Sequence, residues 1–518
     1  AIRHPDDGYI QPADLTQAMA KGARARGAEI HRFTTVVGIE QKPNGEWLVK
    51  TDKGDITCEH VVSATGNFAR RTGAMVGLDI PVIPVEHQYI VTEPCAELLK
   101  RKEQGLPEMA VLRESDQSYY LREERQGLIV GPYEKGAPAW SVDGVPDSFG
   151  QELLPPDIDR LQVHIDAAIR RVPMLGKVGI KDCVNGPIPY TPDGGPLIGP
   201  APGLRNYWLA EGFSFGITAA GGAGKLLAEW MVAGEPSVDP WDVDPRRFGS
   251  YANKIYTKLK NEEAYEHIFV LHYPLEERPA ARPAKTSPIY DRLTAMGAVW
   301  GQKFGWERPN WFAPKGTPQK DVYSFRRGNY FDPVREECRA VRERVGVQDL
   351  TGFSKFVVSG PGAEAMLDRL VANRLPRGQL RTQLCHVLNR AGGVVSEFTV
   401  TRLDRERFYI VSAAAAEAHD HDVRWRAMPE DGSVTLRDVT LDRGVLVLAG
   451  PRARDVLRKL TDADLSSNAF PWLSGKPITV GVAPVLALRV NFLGELGWEL
   501  HHPLAYQIGI FKGLMEAG

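Results

Sequence analysis

The chain of 518 residues is longer than one ordinary hydrophobic core supports, so at least two domains are expected. Hydrophobic residues make up 43% and charged residues 25%, which excludes a disordered chain; 63 basic against 65 acidic residues exclude a general nucleic-acid binder, which needs surplus cations to displace counterions. Cys58, Cys95, Cys183, Cys338 and Cys385 form no CxxC pair, so neither a disulfide framework nor a metal site is expected and a reducing compartment is the default, while the most apolar run, 480–490, falls short of the roughly 20 residues of a membrane span.

The chain opens at Ala1 without Met and closes at Gly518 just after a helical pattern over 506–517, so a piece of a longer protein is expected. Pro12 marks a helix start, Leu15, Ala18, Met19 and Gly22 recur on one face, and Gly27 ends it. Strands are predicted over 29–33 and 35–40, then a hairpin of 47–51 and 55–59 turning at Asp52-Lys53-Gly54. His60-Val61-Val62-Ser63-Ala64 runs into Thr65-Gly66, the pattern of a parallel strand whose carboxyl edge approaches a ligand.

His87-Gln88-Tyr89 and the strand-like Tyr119-Tyr120 are candidates for handling an amine. Hydride removal from an amine needs a neutral nitrogen, and an imidazole or phenol supplies the hydrogen bond or accepts the proton. On residue type alone, a packed or hydrogen-bonded His or Tyr is the commoner outcome. The Pro- and Gly-rich stretch 187–200 reads as a rigid, turn-rich loop. A strand over 206–210 then leads through Gly212 and Gly216 into a helix containing Ala219, Ala220, Gly221, Gly222 and Gly224. Small residues admit a flat ring, and N–H groups at a helix start favour the negative charge of a reduced flavin's pyrimidine end. Tight helix packing explains the same residues equally well.

Seven prolines between 271 and 320 predict a connecting region, with Trp300, Trp306 and Trp311 packing it onto a neighbour. An internal repeat follows. Val357-Val358-Ser359-Gly360-Pro361 and its helix recur as Val447-Leu448-Ala449-Gly450-Pro451 ninety positions on, which predicts a duplicated α+β domain with a pocket between its halves or a repeat that only packs. Gly360-Pro361-Gly362-Ala363-Glu364-Ala365 matches a dinucleotide fingerprint, but Arg452 replaces the second glycine in the other copy and no acid follows at the ribose position. A helix-opening corner is the favoured reading. On a strand over 394–402, Glu397 and Thr399 share one face, to bind a ligand's N–H groups or simply to be solvated. Glu417-Ala418-His419-Asp420-His421-Asp422 resembles a metal cluster, yet neighbours two apart on a helix diverge, so a solvated face is expected. Gly494-Glu495-Leu496-Gly497-Trp498-Glu499-Leu500 offers acids of the kind that grip a pterin edge.

Taken in order, these motifs resemble the dimethylglycine and sarcosine dehydrogenase family. The likeness runs from Asp7-Gly8-Tyr9-Ile10 through Ile83-Pro84-Val85-Glu86-His87-Gln88-Tyr89, Ser118-Tyr119-Tyr120-Leu121-Arg122 and Gly131-Pro132-Tyr133-Glu134. It continues through Val184-Asn185-Gly186-Pro187-Ile188, Ser324-Phe325-Arg326-Arg327 and Ser396-Glu397-Phe398-Thr399-Val400 to the 494–500 motif.

The resemblance implies an α/β and α+β multidomain chain. An amino-acid-oxidase-like FAD domain over 1–255 would lack its amino-terminal part, and a linking region would cover 256–322. An aminomethyltransferase-like folate domain over 323–518 would lack its carboxy-terminal part. His87 and Tyr120 would face the substrate amine and carboxylate; Thr65, Gly66, Gly212, Phe213, Gly216 and Ile217 would contact FAD, with Val36 at the adenine. Glu397, where many relatives have Asp, would act at the folate nitrogens with Thr399 beside it, and Glu499 would hold the pterin. Phe492 replaces a Tyr frequent in relatives, and His4 does not match the family's flavin-tethering His, which falls upstream of Ala1. The implied activity is FAD-dependent oxidation of dimethylglycine to sarcosine, with tetrahydrofolate trapping the carbon as 5,10-methylene-tetrahydrofolate. Electron-transfer flavoprotein or oxygen would be the electron acceptor, in a bacterial cytoplasm or a mitochondrial matrix, with neither nucleic acid nor a membrane span involved. Rival readings are the same chemistry on sarcosine or 4-methylaminobutanoate, and a folate-dependent aminomethyl-transfer module without oxidase activity.

Overall fold

The computed structural model describes residues 8–490 and 492–518, so His4 and Asp7 lie outside the described residues. The chain divides into two compact units, Ala1–Pro245 with Ala252–His272 and Arg246–Tyr251 with Tyr273–Gly518.

In the first unit, Pro12–Arg24 is helical with Gly27 beyond it at φ 94°, as the capping pattern predicts. The segment 29–33, expected as a strand, is not one. All its residues are exposed and Phe33 adopts φ 53°, so it has neither a face to bury nor a partner. Strands Val36–Gln41, Trp47–Thr51 and Gly54–Cys58 form a meander. Val61–Ser63 pairs in parallel with Tyr207–Glu211, whose other neighbour is Leu197–Pro200.

The sheet that positions the site has five strands, in the order Leu112–Glu114, Tyr119–Glu124, Gly127–Pro132, Ile83–Thr92, Ile180–Tyr190. Alternation splits its side chains. Ile90, Tyr119, Leu121, Leu128 and Val130 face the helix Ile158–Arg171 and bury against its Leu161, Ala167 and Ala168. That helix is capped by Asp157, whose side chain accepts from the Arg160 amide at 3.3 Å. The opposite face therefore receives His87, Tyr89, Arg113 and Tyr120. Pro187 and Pro189, expected in a loop, instead lie in Ile180–Tyr190, an edge strand, where a missing N–H is tolerated.

The second unit contains the predicted duplication. Ser354–Ser359 turns at Gly360 into helix Ala363–Leu370, and Arg443–Ala449 turns at Gly450 into helix Ala453–Leu457. Both glycines need positive φ, 118° and 131°, and an added Cβ would stand 2.3 Å from the Ser433 carbonyl oxygen at the first and 2.6 Å from the Arg344 carbonyl oxygen at the second. Close backbone approach thus explains the fingerprint-like corner without a nucleotide. Each repeat contributes a five-stranded sheet. One core packs Phe356, Phe398, Val400 and Ile410 with Met366 and Leu367; the other packs Leu448, Trp498 and Leu500 with Val456 and Leu514. The sheets' remaining faces meet at Tyr409 and His501, 3.0 Å apart.

The prolines of 271–320 do not prevent structure: Ala298–Lys303 and Trp306–Phe312 form a hairpin, with Trp306 and Trp311 buried. Helix Lys254–His267 belongs to the first unit and this hairpin to the second, so the residues expected as a linking region are shared between the two.

The 417–422 run is helical but not a solvated face. His419, Asp420 and Asp422 are buried, Asp420 accepting from the Ser396 hydroxyl at 2.8 Å and Asp422 pairing with Arg246 at 3.1 Å. Partners distant in sequence satisfy these charges inside the unit.

Candidate active site

His87 projects from the middle of Ile83–Thr92 into an aromatic group. Its ring lies 4.7 Å from Tyr133, and its Nδ1 is 2.9 Å from the Tyr265 hydroxyl. Part of the residue's surface stays accessible while the ring is enclosed, and burial pulls the imidazole down to about 4. It is therefore neutral near pH 7. Tyr133 in turn lies 6.4 Å from Phe215, and Phe215 lies 5.7 Å from Phe269. The Gly212–Gly216 turn is thus one aromatic ring away from His87.

Tyr120 stands opposite Gly131 in the strand register. A Cβ at Gly131 would come 2.1 Å from the Tyr120 ring, so that glycine lets the phenol lie across its neighbour. The ring packs against the Val85–Tyr133–Tyr265 cluster that also adjoins His87. Burial pushes the phenol up to about 12, which keeps it a hydrogen-bond donor. On its other side, Tyr120 pairs with Arg113. The exposed Arg113 guanidinium sits 4.0 Å above the Phe269 ring, and among the described residues no carboxylate pairs with it. A hollow of about 910 Å³ adjoins this face, lined in part by Tyr89, Tyr120, Arg122, Lys181 and Asp182.

Glu211 ends the strand Tyr207–Glu211, and Gly212 follows it. Glu211 accepts from the Ser63 hydroxyl at 2.7 Å and from the Gly66 amide at 2.9 Å, so the Thr65-Gly66 turn is held by an acid of the chain itself. Gly212 has φ 72°, and a Cβ there would meet the Thr191 methyl at 2.5 Å. Phe213 turns inward beside Ile198, Ala223 and Leu227. Gly216 and Ile217 open the helix Gly216–Ala233, whose first turn has no side-chain cap. Gly221, Gly222 and Gly224 border open space, so tight packing is not their use among the described residues. The uncapped helix start and the bare glycine surface fit a flat cofactor with an anionic edge. Val36, expected at the adenine, lies in the meander, paired with Thr51.

In the second unit, Glu397 and Thr399 share the face of Val394–Arg402 opposite buried Phe398 and Val400. Glu397 is 2.7 Å from Nε2 of His386 on the adjacent strand. Glu499 is buried, 3.1 Å from Nε2 of His501, which burial holds below its usual range against the opposing pull of Glu499. Glu397 and Glu499 do not touch. Neither lines two hollows of the unit, one of about 520 Å³ around Trp311, Arg342 and Asp349 and one of about 470 Å³ around Trp472 and Arg489. Carboxylate acceptors on facing sheets suit a ring edge rich in N–H donors. Reasoning from sequence missed Arg113, Glu211, Tyr265 and His386; only Arg113 and His386 carried a signal, each lying opposite a candidate across a strand pair.

Three family models match in succession: FAD dependent oxidoreductase over residues 1–230, FAD dependent oxidoreductase central domain over 233–287, and GCVT N-terminal domain over 289–518. Human mitochondrial dimethylglycine dehydrogenase is 41% identical over 526 residues, covering 100% of this chain and 60% of that protein. The chain belongs to the dimethylglycine and sarcosine dehydrogenase family. Mouse mitochondrial sarcosine dehydrogenase is 32% identical over 560 residues, covering 99% of this chain and 60% of that protein. A 4-methylaminobutanoate oxidase (formaldehyde-forming) from Paenarthrobacter nicotinovorans is 31% identical over 520 residues, covering 100% of this chain and 62% of that protein. The chain thus spans about 60% of the length of these relatives. The expected succession in this dehydrogenase family, an amino-acid-oxidase-like FAD domain, a central domain and an aminomethyltransferase-like domain, is present. No helix among the described residues is long and apolar enough to cross a membrane.

Proposed function

We propose that this chain is the major part of an enzyme that oxidises dimethylglycine to sarcosine and passes the released carbon to tetrahydrofolate. The observation that carries the reading is the continuity from neutral His87 through Tyr133 to Phe215 of the Gly212–Gly216 turn, with Tyr120 and Arg113 alongside.

Dimethylglycine brings an ammonium and a carboxylate. Arg113 receives the carboxylate through paired N–H donors, and the Tyr120 hydroxyl adds a third. Neutral His87 hydrogen-bonds the amine and takes its proton, which frees the lone pair that must form the C=N bond. FAD would be held along Thr65-Gly66 and Gly212–Ile217 and would supply the two-electron acceptor for the oxidation. Tyr133, Phe215 and Phe269 wall the reacting carbon from water. Tetrahydrofolate would be held at its pterin edge by Glu499 and approached at its nitrogens by Glu397 and Thr399, and it would supply the nitrogens that take up the carbon. Electron-transfer flavoprotein or oxygen accepts the electrons, in a mitochondrial matrix or a bacterial cytoplasm.

Anaerobic titration of the full-length holoenzyme tests the substrate. Dimethylglycine should bleach the flavin fully and faster than sarcosine or 4-methylaminobutanoate; faster bleaching by either competitor would reassign the substrate.

A further inference from the structure

A buried chain of polar groups runs from His87 away from the aromatic wall. Its Nδ1 meets the Tyr265 hydroxyl at 2.9 Å, and that hydroxyl donates to Glu134 Oε2 at 2.8 Å. Tyr265 and Glu134 are both fully buried. Glu134 Oε1 accepts from Gln88 Nε2 at 3.2 Å and lies 3.7 Å from Arg160, a guanidinium that also pairs with Glu86 at 2.7 Å. The Gln88 amide is itself oriented, its oxygen accepting from the Asp157 amide at 2.6 Å and its nitrogen donating to the Asp157 carbonyl at 3.2 Å.

We propose that Tyr265 and Glu134 are positioning residues that place the single proton of His87 on Nδ1 and leave Nε2 bare as the acceptor for the substrate amine. The inference rests on the oxidation proposed above. A phenol has one proton, and a carboxylate can only accept. With the Tyr265 proton committed to Glu134, the Tyr265 oxygen is an acceptor, so the hydrogen at the His87 contact must come from Nδ1. A neutral imidazole carries one N–H, and its second nitrogen becomes an acceptor. Burial, reinforced by Glu134, pushes the Tyr265 phenol well above its usual value, so the hydroxyl keeps its proton. Nε2 has no partner among the described residues, which leaves it available to an amine. No net proton leaves the chain of groups: the proton taken from the ammonium lands on Nε2, and the resulting imidazolium is stabilised by Glu134 through Tyr265.

The test uses the full-length holoenzyme labelled with nitrogen-15 at histidine, with His87→Gln identifying the His87 signals. The expected spectrum shows His87 protonated at Nδ1 and bare at Nε2. Protonation at Nε2 instead would overturn the proposal. In rapid-mixing experiments, Tyr265→Phe should slow flavin reduction about 10- to 100-fold, the range found where a metal-ligating histidine loses its orienting partner. The dissociation constant for dimethylglycine should change little. In a His87→Ala background, Tyr265→Phe should cost nothing further, and Glu134→Gln, which keeps an acceptor oxygen, should retain more activity than Glu134→Ala. An equal loss from Tyr265→Phe in both backgrounds would make its role structural and sink the idea. If dimethylglycine fails to bleach the wild type, the functional reading falls alone, because the nitrogen spectrum locates the proton without substrate.

Discussion

Glu211 accepts both the backbone N–H and the hydroxyl of Thr65, each at 2.9 Å. The turn expected to serve the flavin is therefore first a ligand of a buried carboxylate. Removing that acceptor would strand the Thr65 and Gly66 amides and two hydroxyls. Glu211→Ala should lower the unfolding free energy by about 2–4 kcal/mol and weaken flavin retention, whereas Glu211→Gln, which keeps one acceptor oxygen, should lose less. Urea unfolding followed by flavin release measures both. An unchanged Glu211→Ala protein would show that the turn needs no internal acceptor.

Acid should destabilise the first unit through His87. An unfolded histidine protonates near 6.5, and the folded imidazole only near 4. Between those values the unfolded chain binds more protons, so stability is full above about 6.5 and falls as the pH drops toward 4. His87→Gln should remove about 1–2 kcal/mol of that fall. His502, pulled down to about 4 mainly by burial, should leave a residual acid sensitivity in the second unit. Unfolding midpoints at pH 7 and pH 5 for both proteins check the sign; equal slopes would contradict it.

Arg113 is assigned to the substrate carboxylate, so its loss should appear in binding. Arg113→Ala should raise KM for dimethylglycine about 10- to 100-fold with a smaller change in kcat, and Arg113→Lys should recover only part, because an ammonium lacks the planar fork. Dimethylaminoethanol, which lacks the carboxylate, should distinguish poorly between wild type and Arg113→Ala. An unaltered KM would place the carboxylate elsewhere.

The Glu397–His386 pair should matter only after the amine is oxidised. Glu397→Ala should leave anaerobic bleaching within about twofold of wild type and cut methylene-tetrahydrofolate about tenfold, with free formaldehyde rising to match. Slower bleaching in this variant would tie Glu397 to the redox step.

What was legible in the sequence was local. Pro12 and Gly27 bracket the first helix, and the two Gly-Pro corners reveal the duplication because positive φ and close backbone packing demand glycine there. The aminomethyltransferase-like and oxidase-like halves followed from ordered motifs, and His87 and Tyr120 do border one cluster. Tyr265 was invisible because it is 178 positions from the His87 it touches, on a helix with no periodicity to single it out. Glu211 resembled any strand-end acid until the fold brought Ser63, Thr65 and Gly66 to it. Asp420 and Asp422 were misread as solvated since their partners, Ser396 and Arg246, come from other segments. Charge in a sequence marks a need for partners; it does not say whether water supplies them.

Dimethylglycine carrying carbon-13 in its methyl groups, given to the full-length holoenzyme with saturating tetrahydrofolate and followed by NMR, tests the coupling of the two sites most directly. Label should pass into 5,10-methylene-tetrahydrofolate and sarcosine, with little free formaldehyde, and His87→Ala should slow the appearance of both labelled products. Label released as formaldehyde at an unchanged rate with or without folate would contradict a shared function for the two halves.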